Sequence, residues 1–142
     1  MSSTGYRTFD TTLEKTNGVL KRMEETYGWP KERRNQSYDG LRAVLHALRD
    51  RLTVEETAQL SAQLPMLIRG IYFEGWDPTK VPMKMHRNDF LERIDANFPH
   101  EVPGGAERLF GVVIEALRRF ISEGEWQDIR AILPKDLVTT LP

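Results

Sequence analysis

The chain has no cysteine, which excludes disulfides, thiolate nucleophiles and cysteine-ligated zinc or iron–sulfur sites. No apolar run approaches the roughly 18 residues that a membrane-spanning helix needs, and residues 1–10 lack the basic, apolar and small-residue order of a secretory signal. These absences predict a cytoplasmic protein. Charge of one sign is not in excess either: 20 basic and 21 acidic residues leave −1, with +1 over residues 1–75 and −2 over 76–142. A duplex-coating protein shows a basic excess or a one-sided block, so nucleic acid is not the expected partner.

Motifs of the familiar chemistries are missing as well. His46, His86 and His100 form no H-x-x-x-H or H-E-x-x-H spacing. A folded set of His86, Asp89 and Glu92 would sit beside Lys84 and Arg87, which reads better as a solvated helix start. Ser37, Ser61 and Ser122 have no G-x-S-x-G context, Gly104-Gly105 is too short to cradle phosphate, and most carboxylates pair with bases at helical spacing. No catalytic residue, metal site or cofactor is implied, and a non-enzymatic protein is expected.

What is present is helical. With 142 residues, 39% hydrophobic and 29% charged, the chain has the size and composition of one soluble domain. The N-terminal eight residues are polar and expected to fray. Thr11-Thr12-Leu13-Glu14 has the form of a capping box, followed by Leu13, Leu20, Met23 and Tyr27 on one face and a stop at Gly28. A second helix runs from Lys31 or Ser37 to Leu52, burying Tyr38, Leu41, Val44, Leu45, Leu48 and Leu52. Thr53 to Glu56 is a second capping box, opening a helix that buries Leu60 and Leu64, and Pro65 opens a short helix to Phe73. Residues 76–86 carry Pro78 and Pro82 without a period and read as a loop. Asn88 caps a helix over Asp89–Phe98, another spans Ala106–Ile121, and the capping box Ser122 to Glu125 starts a last one that buries Trp126, Ile129 and Leu133. Pro134 restarts the backbone, with Leu137 and Leu141 closing the core.

The second half repeats the first. At an offset of 69, residues 43–65 and 112–134 share eight identities over 23 positions: Val44, Ala47, Leu48, Arg49, Glu56, Ala62, Leu64 and Pro65 fall on Val113, Ala116, Leu117, Arg118, Glu125, Ala131, Leu133 and Pro134. Average composition would give about one or two. At an offset of 71, Leu20, Met23 and Tyr27 fall on Leu91, Ile94 and Phe98. The expected fold is all-α: a compact bundle of six main helices in a single domain spanning 1–142, built from duplicated three-helix units (about 11–75 and 87–142) about a pseudo-two-fold and joined by the 76–86 loop.

One stretch has no copy. After Leu64-Pro65 the chain reads Met66-Leu67-Ile68-Arg69-Gly70-Ile71-Tyr72-Phe73-Glu74-Gly75-Trp76, whereas Leu133-Pro134 is followed by a polar tail. Tyr72, Phe73 and Trp76 either plug the seam between the halves or, with Met66, form a patch for a partner. Arg69 either lies on the exposed face or stacks on an aromatic and pairs with Glu74 or Asp77. At this junction the sequence resembles a bacterial family known as domain of unknown function 2267. The likeness extends from about Val19 through Leu41–Leu52, Ala62–Trp76, Ser122–Trp126 and Leu133-Pro134. It implies an all-helical, duplicated domain and brings no activity.

The leading expectation is a helical domain that contacts a protein partner or itself through residues 66–84, with Met66, Arg69, Tyr72, Phe73 and Trp76 as the contact residues. The alternative is a nucleic-acid-associated regulator using Lys31, Arg33 and Arg34 together with Lys80, Lys84 and Arg87.

Overall fold

In the computed structural model, which describes residues 3–139, the helix Arg34–Arg51 (α2) is the element around which the rest is built. Every residue from Gly40 to Asp50 except Arg42 is buried, so α2 is covered on nearly all sides. Its amphipathic stripe therefore describes it poorly. Around it stand α1 (Arg7–Tyr27), α4 (Met66–Phe73), α5 (Arg87–Ala96) and α6 (Gly105–Leu117). Gly40 is what lets them close in. A Cβ there would meet Leu109 Cδ1 at 3.0 Å and Met23 Cε at 3.4 Å.

The remaining helices are α3 (Val54–Ser61), α7 (Glu123–Ile132) and α8 (Lys135–Val138), and no strand occurs among the described residues. The fold is all-α and its apolar interior is one continuous cluster, from Val19 and Met23 to Leu137 and Val138. Helix α1 packs on α2 and α6, α5 packs on the same two, and α3 lies against α7. Some residues matched by the sequence offsets share burial: Met23 and Ile94 are fully enclosed, Leu20 and Leu91 half-buried, Leu64 and Leu133 enclosed before their prolines. Tyr27 and Phe98, Arg49 and Arg118, and Glu56 and Glu125 differ.

Several boundaries follow the chemistry read from the sequence. Gly28 ends α1 in the left-handed region at φ 74°. Trp29 N donates to Glu24 O at 2.9 Å and Gly28 N to Glu25 O at 3.3 Å, the paired bonds of a glycine-terminated helix. Thr53 Oγ1 accepts from Glu56 N and Ser122 Oγ from Glu125 N, both at 3.1 Å.

Others differ. Helix α1 starts at Arg7 rather than Thr11, because the Asp10 carboxylate accepts from Thr4 N (2.8 Å), Thr4 Oγ1 (2.9 Å) and Ser3 Oγ (2.9 Å) and ties down a segment expected to fray. These bonds, the Thr4 backbone first, hold the exposed Asp10 carboxyl below its ordinary value. Helix α5 starts at Arg87, with the His86 N–H donating to Asp89 Oδ2 at 3.1 Å, so Asn88 is not its cap. Helix α6 ends at Leu117 and tightens into a 3-10 turn over Arg118–Phe120. Leu13 and Tyr38, expected in the core, are exposed. Leu141 lies outside the described residues.

Candidate functional site

The short helix α4 carries the junction residues, and it is fastened at both ends by side chains from other helices. At its N-terminus, Leu67 N donates to Thr12 Oγ1 of α1 at 2.9 Å. That hydroxyl, from within α1, caps α4 from 55 positions away. At the C-terminus, His46 Nε2 meets Ile71 O at 2.7 Å, and Arg49 Nη1 donates to Tyr72 O (2.8 Å) and Glu74 O (2.6 Å). Nε2 of His46 therefore carries the hydrogen. Free carbonyls at a helix end carry partial negative charge, so an arginine from α2 is well matched to them.

Arg49 is 6% exposed, and burying its charge requires a partner. Asp50, equally buried, supplies one: Oδ1 accepts from Arg49 Nε at 3.1 Å, while Oδ2 accepts from Arg93 Nη2 of α5 at 2.7 Å. The Asp50 carbonyl also takes Met83 N at 2.7 Å, which pins the 76–86 loop over α2. One dipeptide of α2 thus joins α4, α5 and the loop. Burial holds the neighbouring His46 imidazole below its ordinary value against the raising effect of its bond to Ile71, and the Arg49 and Arg42 charges lower it further.

Fixed this way, α4 turns Ile68 and Tyr72 into the core and leaves Met66 and Leu67 outside, 49% and 39% exposed. Tyr72 is fully enclosed, and burial pushes its hydroxyl's pKa up. It cannot contact a partner. Its ring meets Phe73 edge-on at 5.2 Å, and Phe73 meets Trp76 at 5.3 Å, so a file of rings runs outward from the core. Phe73 and Trp76 are half-buried, and the Trp76 Nε1 hydrogen is enclosed without a partner. Of these three, Tyr72 is enclosed, and Phe73 and Trp76 keep part of their surface open to solvent. Arg69 pairs with neither Glu74 nor Asp77: its Nε donates to Ser61 O (2.8 Å) and its Nη2 to Leu64 O (3.0 Å), closing the C-terminus of α3.

Of the five junction residues, Met66 alone is a large exposed apolar group, and Leu67 joins it. Beside Leu67 lies a groove of about 410 Å³ lined by Leu20 and Asn17 of α1, Tyr38 of α2, and Gly70 and Ile71 of α4. Along α1 from this groove, Leu13, Phe9 and the preceding Tyr6 are exposed. Their spacing sets Phe9 and Leu13 on the side that Leu20 occupies, and the Tyr6 and Phe9 rings lie 5.4 Å apart. An apolar ridge thus leads into an apolar groove.

The two basic clusters lie on different elements, and acids neutralise part of each. Arg34 approaches Glu24 at 3.6 Å, Arg87 bonds Glu107 at 2.5 Å and Lys80 approaches Asp77 at 3.9 Å. Lys31 and Arg33 sit in a 3-10 turn ahead of α2, and Lys84 is exposed in the loop.

The buried arginine centre escaped sequence reading, although a sign of it was there. Arg49 recurs as Arg118 among residues that are otherwise apolar or caps, and a charge kept at a core register calls for a buried partner. A family model described as "Uncharacterized conserved protein (DUF2267)" matches residues 16–139, from the middle of α1 through α8. No curated protein matches the chain.

Proposed function

The chain belongs to the DUF2267 family, which supplies no activity, and we propose from its geometry a non-catalytic helical domain that acts by protein–protein contact through the face of α1 and α4. The observation that carries this is the ridge of Tyr6, Phe9 and Leu13 continuing into the groove beside Leu67. Large apolar side chains left outside a molecule that has a well-filled interior belong to surfaces that are covered in use. A ridge beside a groove is also self-complementary, since two copies related by a two-fold axis can each seat the ridge in the other's groove. A second copy of this chain is therefore the first occupant to test. The contact surface moves from the 66–84 junction as a whole to Met66 and Leu67 with the exposed side of α1.

Sedimentation over a concentration series tests it, with wild type beside Leu67→Glu and Phe9→Glu. Both residues are exposed, so the variants should keep their helical circular dichroism. A wild-type dimer that dissociates in both variants supports the reading. A wild-type monomer at every concentration removes the second copy as occupant.

A further inference from the structure

On the side of the molecule where α3 meets α7, three carboxylates converge. Glu56 of α3 and Glu125 and Asp128 of α7 each place an oxygen within 4.8 Å of the other two. Glu56 and Glu125 are the third residues of their helices, held there by the Thr53 and Ser122 hydroxyls. In a full capping box, the Glu125 carboxylate would turn back to the Ser122 N–H. Here that N–H donates to Gln63 Oε1 at 2.7 Å, so Glu125 is released from capping and faces the seam.

Burial without partners sets this cluster apart from ordinary surface acids. Glu125 is 7% exposed, and its Oε1 is enclosed with no hydrogen-bond partner, as is Oε2 of Glu56. The fully buried Tyr72 hydroxyl, from a third helix, lies beside Thr57 and within electrostatic reach of Glu125. Among the described residues, none of the three carboxylates is in an ion pair. Desolvation, followed by the negative charges of Glu56 and Asp128, raises the Glu125 carboxyl above its ordinary value. A buried anion facing two others needs a positive charge. Asp128 is exposed, which leaves an entry from solvent.

We propose that Glu56, Glu125 and Asp128 form a binding site for a hard divalent cation, calcium, at the α3–α7 seam. All-oxygen, carboxylate donors select hard cations over copper or zinc. Two oxygens on one ion cannot lie farther apart than twice the bond length, which is about 4.6–5.2 Å for calcium and about 4.0–4.2 Å for magnesium. The three oxygens lie within 4.8 Å of one another, inside the calcium limit, and calcium tolerates irregular oxygen sets whereas magnesium demands near-ideal octahedral geometry and sheds its water reluctantly. Three protein oxygens leave the other positions to water. The bound ion would clamp α3 to α7.

Chelator-treated full-length protein, titrated with calcium chloride and separately with magnesium chloride, tests this by calorimetry and by the unfolding midpoint. Wild type should bind calcium at one site per chain, more tightly than magnesium, and its midpoint should climb with calcium concentration. Glu125→Gln removes buried repulsion, so without metal it should melt above wild type, yet gain nothing from calcium. Asp128→Asn, at an exposed position, should weaken calcium binding at least tenfold without unfolding the protein. Absence of calcium-dependent heat or midpoint shift in wild type overturns the proposal. Binding that survives both substitutions overturns it too.

Discussion

Arg49 near the end of α2 and Arg118 in the 3-10 turn after α6 are aligned by the 69-residue sequence offset, and their surroundings differ. Arg49 is buried, paired with Asp50 and bonded to two carbonyls at the end of α4. Arg118 lies 4.8 Å over the Trp126 ring and bonds Glu123 at 3.0 Å near the surface. The neighbour decides. In the first half Leu-Pro is followed by an eight-residue helix whose carbonyl end faces α2, and in the second by the four-residue α8. Position 50 is an aspartate and its counterpart 119 an arginine; position 46 is a histidine and its counterpart 115 a glutamate, paired with Arg22. Two arginines aligned by one sequence offset are thus held differently, according to what the chain offers each charge to bind.

The largest expected effect in testing this contrast comes from Asp50→Ala. It strands Arg49 in the interior and should cost about 3–5 kcal/mol, read as a lowered urea midpoint. Next come Arg49→Met and Arg118→Met side by side. Losing Arg49 unbinds the α4 carbonyls and should cost about 2–4 kcal/mol, whereas losing the half-exposed Arg118 should cost about 1 kcal/mol or less. Equal losses would erase the distinction between the halves. A smaller effect belongs to Thr12→Val, which uncaps α4 and should cost about 1 kcal/mol; faster hydrogen exchange at the Leu67 amide would localise it.

A pH series separates His46 from its counterpart Glu115. The folded His46 value lies below the ordinary 6.5, so the unfolded chain takes up a proton first as pH falls. Stability from the neutral imidazole is full above that ordinary value and declines as pH drops toward the folded one. His46→Gln should flatten this decline. An unchanged slope in the variant would assign the decline to other groups.

Much of the fold was legible because it rests on short-range rules. Gly28, the Thr53 and Ser122 caps and the two Leu-Pro stops mark helix ends within four residues of sequence, and the α6 stripe from Leu109 to Leu117 gives its buried face directly. What stayed hidden depends on bonds across long stretches. Nothing beside Thr12 in the sequence points to Leu67, and nothing beside Gln63 points to the Ser122 N–H that it accepts. Periodicity could not tell that α2 is enclosed all round, or that the first turns of α1 run past the body they pack on and leave Phe9 and Leu13 outside. The aromatic junction stands out in the sequence as lacking a copy, but its most buried ring, Tyr72, is enclosed in the core. The apolar side chains of α4 left exposed are Met66 and Leu67, which carry the proposed face.

The most direct test of that face is amide hydrogen exchange measured on dilute and concentrated protein. Slower exchange on concentration over residues 6–20 and 66–71, with α7 and α8 unchanged, is the expected result. Exchange that is independent of concentration, or protection confined to α7 and α8, would contradict contact through the α1–α4 face.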